Sequence, residues 1–390
     1  MKAMLKRFDY LMFAVMLGLI AIGTVAIRSA GTARAEAVFH EMWIANLVTA
    51  AFGLAIYLLI AFTDYRKWLD IMSVPVYGLS LAFLVAVLVF GSTVYGGKRW
   101  LWFFQPSEVA KLGVIMMMAA QFGRRDDDDL RVFGFRNFLL ALAIVAVPVA
   151  LILAEPDLGT ALTLIPAVVV MMFVAGIWRR GLVTVLAVCG IGLLAVLGMV
   201  YEAERPGTPP ERRELIMKFM PLKPHQFRRV KVFLFPEEDK MGAGYNLRQA
   251  KISIGSGGFS GKGIGKGEAN HLKYLPQAIS MNDFIFCVYA EETGFVGSSV
   301  LLALFTLLLV SGCRIAFVTS DPGGRLLALG VSTLIFAHVY INIAMSLGLV
   351  PITGLPLPFI SSGRTFLVTV MCALGFVQSI STHRNKEKQR

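Results

Sequence analysis

One carboxylate stands directly before a membrane-like apolar run: Asp283, in "SMNDFIFCVYAEETGFVG" (280–297). A carboxylate in such a place is costly to desolvate, so it is a functional candidate by default. Ser280 and Asp283 also have the spacing of a helix capping box, so spacing alone leaves cap and catalyst open. Glu291 and Glu292 lie on other faces of a helix starting here, so they form no carboxylate pair with Asp283.

A second group of charges precedes another apolar run, in "YGGKRWLWFFQPSEVAKL" (95–112). Glu108 and Lys111 are three residues apart and therefore share one helix face. Lys111 is expected about one turn below the membrane surface, where an unpaired ammonium is expensive. The pattern indicates either a functional pair or a structural ion pair, with Lys98 and Arg99 as further interfacial cations.

Two more segments carry charge where apolar runs end. "AEPDLGTAL" (154–162) presents Asp157 as either a helix cap or a functional acid. "GSGGFSGKGIGKG" (255–267) offers backbone amides with Lys262 and Lys266, which either cradle a pyrophosphate or form a tight mobile turn. It is not a Walker A loop, because glycine follows each lysine where Ser or Thr is needed.

Long apolar stretches must position these charges. Of the 390 residues, 56% are hydrophobic and the mean hydropathy is +0.69, which indicates a polytopic membrane protein. We predict an all-α integral membrane protein with a single polytopic domain over residues 1–390. About ten spans are expected, at 10–27, 43–63, 72–90, 107–122, 138–154, 158–177, 181–200, 284–313, 325–349 and 357–381.

The charge distribution predicts the orientation. Lys and Arg are concentrated in the short segments that lie inside when both termini are cytoplasmic. Residues 201–282, between spans 7 and 8, then form a large extracytoplasmic loop, whose Phe, Leu, Val, Lys and Arg favour helices on the membrane surface. The proline-rich "VPITGLPLPFISSGRTF" (350–366) breaks its helix and is expected to line a groove through residues 353–363.

Other features exclude functions. The net charge of +12 arises largely from the topology and the long loop, so it does not indicate nucleic-acid binding. The four cysteines lie in apolar spans and the five histidines are scattered, so the sequence predicts no disulfide framework and no metal site built on thiolates or histidines.

Several motifs together resemble the SEDS family of membrane glycosyltransferases (shape, elongation, division and sporulation), whose main branches are RodA and FtsW. "AEE" at 290–292 and the ending "SISTHR" are more similar to the RodA branch. The motifs run in family order from about residue 98 to 363 and are "KRW" with "QPSEVAK", "EPDLGT", "FLFPEEDKMGAGYNLRQAKISIGSGGFSGKG", "NDFIFCVYAEETGFVG" and "NIAMSLGLVPITGLPLPFIS".

The resemblance implies a peptidoglycan glycosyltransferase that polymerises lipid II for cell elongation and shape. It acts at the outer face of the cytoplasmic (inner) membrane, as a multi-pass protein. The family's catalytic aspartate corresponds to Asp283, its important membrane-face Glu and Lys to Glu108 and Lys111, and the "PDLGT" acid to Asp157. The implied partners are a class B penicillin-binding protein, which supplies transpeptidase activity, and other membrane proteins of the elongation complex.

The chain departs from the family pattern at two places. Met281 and Asn282 precede the aspartate where the family has a His and then Thr or Ser. "SSGRTF", with Arg364, stands where the family has "SYGGSS".

A single carboxylate is sufficient for the implied chemistry. A lipid pyrophosphate is already a good leaving group, so the reaction needs one base and no general acid. Cations would stabilise the charge that develops on it, and the candidates are Lys98, Arg99, Lys111, Lys262 and Lys266. A divalent cation, magnesium or manganese, could share this task, although no ligand cluster requires one. Two rivals stay open: a lipid II flippase or transporter, and a non-catalytic scaffold of the wall-synthesis complex.

Overall fold

A computed structural model of the chain describes residues 2–32, 41–94, 97–101, 104–123, 134–155, 157–239, 242–268 and 281–384. It has the all-α fold of a membrane protein, as predicted. After a short N-terminal helix, Lys2–Leu5, the bundle helices are α1 (Tyr10–Thr32), α2 (Met42–Phe62), α3 (Tyr65–Phe90, with a π-helical turn at Trp68–Met72), α4 (Pro106–Phe122), α5 (Phe135–Ala154), α6 (Leu158–Val174), α7 (Arg179–Glu204), α11 (Ile285–Val318), α12 (Pro322–Leu347) and α13 (Arg364–His383).

Each predicted span overlaps one of these helices. Eight of them are long and apolar enough to cross a membrane; the other two, α4 and α6, have only 17 residues each. The count of ten spans therefore stays a prediction, as does the side of the membrane on which each end lies.

Helix α12 lies at the centre of the bundle. It packs against α4, α6, α11 and α13, and most of its residues are buried. His338, Asn342 and Ser346 recur at four-residue intervals and are all buried, so they form one polar stripe along this apolar helix. By contrast, almost all of α7 faces outward, as expected for a lipid-facing helix.

The long loop contains regular structure. Helices α8 (Pro210–Lys218), α9 (Pro224–Leu234) and α10 (Ala243–Ser256) occupy the part of it that the structure describes. Helix α9 is strongly amphipathic, and an ion pair between Lys231 and Glu204 ties it to the end of α7. A small antiparallel hairpin, β1 (Ser92–Val94) and β2 (Gly97–Trp100), precedes α4.

The glycine-rich stretch packs into a break in α11. Gly294 has φ 65°, which interrupts the helical hydrogen bonding, and only glycine adopts this conformation readily. Backbone bonds from the stretch fill the gap: the Lys262 amide donates to the Glu291 carbonyl (3.0 Å) and the Phe295 amide to that of Gly258 (2.9 Å). The stretch is thus a structural part of the helix break.

The proline-rich segment between α12 and α13 is irregular, as predicted. The segment is buried against α1, where a Cβ on Gly23 would lie 2.1 Å from the Phe359 carbonyl oxygen. The side-chain amide of Asn342 donates to two carbonyls, those of Asp283 (2.9 Å) and Leu355 (2.7 Å). One buried amide therefore joins the start of α11 to the proline-rich segment.

This junction makes a stability prediction. Asn342→Leu keeps the branched shape of the side chain but leaves two carbonyls without their donor, at about 1–3 kcal/mol for each buried group. We expect a lower melting temperature of the purified protein in detergent, measured by intrinsic fluorescence. Tyr340→Phe, on an exposed face of the same helix, is the matched control. If Asn342→Leu has the same melting temperature as the wild type, the amide does not hold the two segments together.

Candidate active site

Asp283 lies in the turn that precedes α11 and does not cap that helix. The N-cap position is Phe284, and it makes no side-chain capping bond; Ser280, the other half of the predicted box, lies outside the described residues. Within the described part of the chain, the Asp283 carboxylate accepts no hydrogen bond and has no cation within 4.0 Å. Its neighbour is the backbone at Gly354, where a Cβ would lie 3.4 Å from Oδ2. The spacing alone left both a capping role and a catalytic role open for Asp283. This geometry favours the catalytic role.

The residues beside Asp283 are fixed by two serines of the proline-rich segment. Ser361 Oγ donates to the Asn282 carbonyl (2.6 Å) and Ser362 Oγ donates to Asn282 Oδ1 (2.6 Å). Asn282 and Ser362 both belong to segments that depart from the family pattern. The two departures therefore meet in one hydrogen bond, which supports the turn carrying Asp283. Arg364, the bulky departure, is exposed at the start of α13.

Three charged groups from separate elements surround the turn that carries Asp283. Arg99 of β2 has its Nη1 3.8 Å from Asp157 Oδ1, and Asp157 caps α6 by accepting from the Thr160 amide (3.2 Å). Arg229 of α9 donates from Nη1 to the Thr353 carbonyl at 3.0 Å. The site thus has two cations and two carboxylates, and each side chain comes from a different element.

Burial and the two nearby arginines shift the pKa of Asp283 in opposite directions. Removal from water raises the pKa of the Asp283 carboxyl to about 6, the charges of Arg229 and Arg99 oppose that rise, and Asp157 adds to it. A carboxylate of this pKa is mostly ionised at pH 7 and still basic enough to accept a proton.

Glu155, next to this group, is in a different state. It is fully buried, and neither carboxyl oxygen has a hydrogen-bond partner among the described residues. Burial, together with nearby Asp157, raises the pKa of Glu155 to about 8, against the opposing charge of Arg99. At neutral pH this acid is largely protonated.

Glu108 and Lys111 form a buried pair, as their spacing predicted. Their side chains are only 2% and 1% exposed, and Lys111 Nζ lies 2.9 Å from Glu108 Oε2. Lys111 Nζ also contacts His338 Nε2 at 2.7 Å and lies 5.4 Å from the centre of the Phe366 ring. The pair lies at one end of an apolar pocket within the bundle. The pocket is lined by Leu112, Val331, Leu334, Ile335 and Val370 among others.

The lysines of the glycine-rich stretch lie elsewhere. Lys262 Nζ bonds to Glu291 Oε1 at 2.8 Å, about two helical turns along α11 from Asp283. Lys266 is exposed. Lys98 lies on β2, but its side chain falls outside the described part of the structure. Neither lysine of the stretch contributes to the charges acting on Asp283.

The possible divalent cation stays a prediction. Among the described residues, no three His, Cys, Asp or Glu side chains are grouped so as to bind an ion. Magnesium, however, keeps several waters and can bind through one or two carboxylates together with substrate phosphates.

Three residues at the site were not identified from the sequence. His338 and Asn342 had a usable signal, since polar residues four apart in an apolar helix mark one face. Arg229 had none: it adjoins Arg228, and nothing in the sequence separates the two. Only the fold shows that Arg228 points out to Asp239 (3.4 Å) while Arg229 points inward.

The chain is similar to known proteins in sequence. The family model of the FtsW, RodA and SpoVE cell cycle proteins matches residues 9–386. The peptidoglycan glycosyltransferase MrdB of Escherichia coli (strain K12) is 36% identical over 325 residues, which cover 82% of this chain and 79% of MrdB. A probable peptidoglycan glycosyltransferase FtsW of Trichlorobacter lovleyi is 33% identical over 387 residues, covering 97% and 94%.

Solved structures extend the likeness to the fold. The Thermus thermophilus rod shape determining protein RodA superposes with a TM-score of 0.66 at 26% identity, covering 97% of both chains. A chain from a peptidoglycan synthase complex gives a TM-score of 0.75 at 28% identity, over 97% of this chain and 98% of that one. The chain belongs to the FtsW/RodA/SpoVE family, the SEDS proteins.

Proposed function

We propose that the chain is a peptidoglycan glycosyltransferase, which polymerises lipid II into β-1,4-linked glycan strands for cell elongation and shape. One observation carries the proposal: a half-buried carboxylate, Asp283, has no hydrogen-bond partner among the described residues and is flanked by two arginines. This is what an inverting transfer from a lipid pyrophosphate requires, namely one base and nearby positive charge.

In the proposed reaction, Asp283 takes the proton from the 4-hydroxyl of the acceptor's terminal N-acetylglucosamine. The oxygen attacks the anomeric carbon of the donor's N-acetylmuramic acid and forms the new C–O bond. The bond from that carbon to the pyrophosphate breaks, and its electron pair leaves with undecaprenyl pyrophosphate. A buried carboxylate flanked by fixed charges is preorganised for this step, because little solvent has to reorganise.

The location and partners follow from the same proposal. Asp283, Arg99, Asp157 and the described part of the 201–282 loop lie at one end of the bundle, which we assign to the extracytoplasmic side of the cytoplasmic membrane. A class B penicillin-binding protein would supply cross-linking, with other elongation-complex proteins beside it. The similarity to a chain of a peptidoglycan synthase complex supports such a partner.

We assign Glu108 and Lys111 to substrate binding as well. The apolar pocket beside them lies between α4, α12 and α13, in the interior of the bundle. An ion pair at the end of such a pocket can meet the polar head of a lipid substrate.

The base is tested by Asp283→Asn, which keeps the shape of the side chain and removes its basicity. Glycan synthesis from purified lipid II should fall by about 10²–10⁴-fold, with unchanged folded yield. Glu237→Gln, an exposed acid of the same loop, is the control. Polymerisation by Asp283→Asn at nearly the wild-type rate would show that the base lies elsewhere.

The same assay separates the rival functions. Wild-type protein should form glycan chains from lipid II, measured with and without the penicillin-binding partner. If neither condition gives polymer, a transporter or a scaffold replaces the glycosyltransferase.

The buried pair is tested by comparing Lys111→Met with the double change Glu108→Leu/Lys111→Met. The single change leaves a buried carboxylate without its cation and should destabilise the protein by roughly 3–5 kcal/mol. The double change should recover the melting temperature but keep less than about a tenth of the polymerisation rate. Full recovery of both would make the pair purely structural.

A further inference from the structure

Arg229 is positioned at the site by the long loop. Helix α9 is held to α7 through Lys231 and Glu204, and its Val232 is buried. From this helix, Arg229 Nη1 donates to the Thr353 carbonyl at 3.0 Å. The same carbonyl lies against the first turn of α6, where a Cβ on Gly159 would be 3.0 Å away. The guanidinium is therefore anchored where α6, α9 and the proline-rich segment meet.

The Thr353 carbonyl that anchors Arg229 belongs to the residue directly before the one that contacts Asp283. Gly354 follows Thr353 directly and lies against Asp283 Oδ2. Arg229 thus lies near enough for its charge to act on Asp283, although the two side chains are more than 4 Å apart, since no ion pair joins them. A negatively charged group bound beside Asp283 would therefore lie near Arg229 as well.

The guanidinium has capacity left for such a group. An arginine has five N–H donors, and the bond to Thr353 uses one of them. Within the described residues, no carboxylate lies within 4.0 Å of Arg229. By contrast, neighbouring Arg228 is paired with Asp239 and points outward. Two adjacent arginines on one helix therefore have different environments.

A second cation lies close to Arg229. The field of Arg99 and burial both lower the pKa of Arg229, while Asp157 and Asp283 act the other way. Two guanidinium groups brought together and half-buried repel each other, and the repulsion is relieved when an anion binds between them. Guanidinium pairs are well matched to phosphate oxygens, which they can bind in a bidentate manner.

We propose that Arg229, together with Arg99, binds the diphosphate of the lipid-linked donor and stabilises it as it leaves. The inference rests on the proposed function, because it assigns the leaving-group site of that reaction. As the bond between the anomeric carbon and the phosphate oxygen breaks, the electron pair stays on the diphosphate, facing the two guanidinium groups. The proton of the acceptor hydroxyl goes to Asp283, on the opposite side of the reacting carbon.

Arg229→Gln tests this assignment against Arg228→Gln, which removes the same charge from the same helix. We expect Arg229→Gln to lower kcat/KM for lipid II polymerisation by about 10²–10³-fold, as for the loss of one preorganised donor. Arg228→Gln should stay within about two-fold, as expected for an exposed ion pair. Arg229→Lys should recover part of the loss, because it restores the charge without the planar fork. Equal rates for the two glutamine variants would overturn the proposal.

Inorganic pyrophosphate gives a second readout that needs no catalysis. It should raise the melting temperature of the full-length wild type and of Arg228→Gln in a concentration-dependent way, because it binds the folded state. Arg229→Gln should show a much smaller shift. The same shift in Arg229→Gln as in the wild type, or no shift in the wild type, would contradict the assignment.

The two measurements keep the two proposals apart. Wild-type protein that makes no glycan would count against the glycosyltransferase function. The change in melting temperature with pyrophosphate would still show whether Arg229 binds a diphosphate. Wild-type protein that polymerises lipid II, with Arg229→Gln equally active, would leave the function standing and remove Arg229 from the leaving-group site.

Discussion

The side-chain amide of Asn342 is the contact on which the site depends. Its two bonds, to the carbonyls of Asp283 and Leu355, join two segments in which the long helices are interrupted. Ser361 reinforces the junction, since it accepts from the Leu357 amide and donates to the Asn282 carbonyl. Because non-helical backbone within a membrane must be satisfied by protein, this junction allows the chain to break its helices beside Asp283.

Around that junction, charge is distributed so that one carboxylate stays available. Asp157 is occupied by its helix cap and by Arg99, and Glu108 by Lys111. Glu291 is occupied by Lys262. Burial leaves Glu155 largely protonated. Asp283, like Glu155, has no such partner within the described residues, but its pKa is raised only to about 6.

The sequence predicted the features that depend on local spacing. The helices follow from long apolar runs, and the Glu108–Lys111 pair follows from its three-residue separation. Features that need distant segments to meet were not predictable in this way. The bond of Arg229 to Thr353 spans 124 positions, and the pairing of Lys262 with Glu291 depends on how the glycine-rich stretch fills the helix break. The departures at Asn282 and Ser362 likewise appeared unrelated until the fold placed them in contact.

The pH dependence of polymerisation tests the role of Asp283 most directly. The base must be ionised to accept a proton, so kcat/KM for lipid II should be constant at neutral pH. It should then fall about tenfold per pH unit once the pH drops below the pKa of the carboxyl, which burial raises to about 6. A rate that stays constant from pH 7 to well below this value would contradict the assignment of Asp283 as the base.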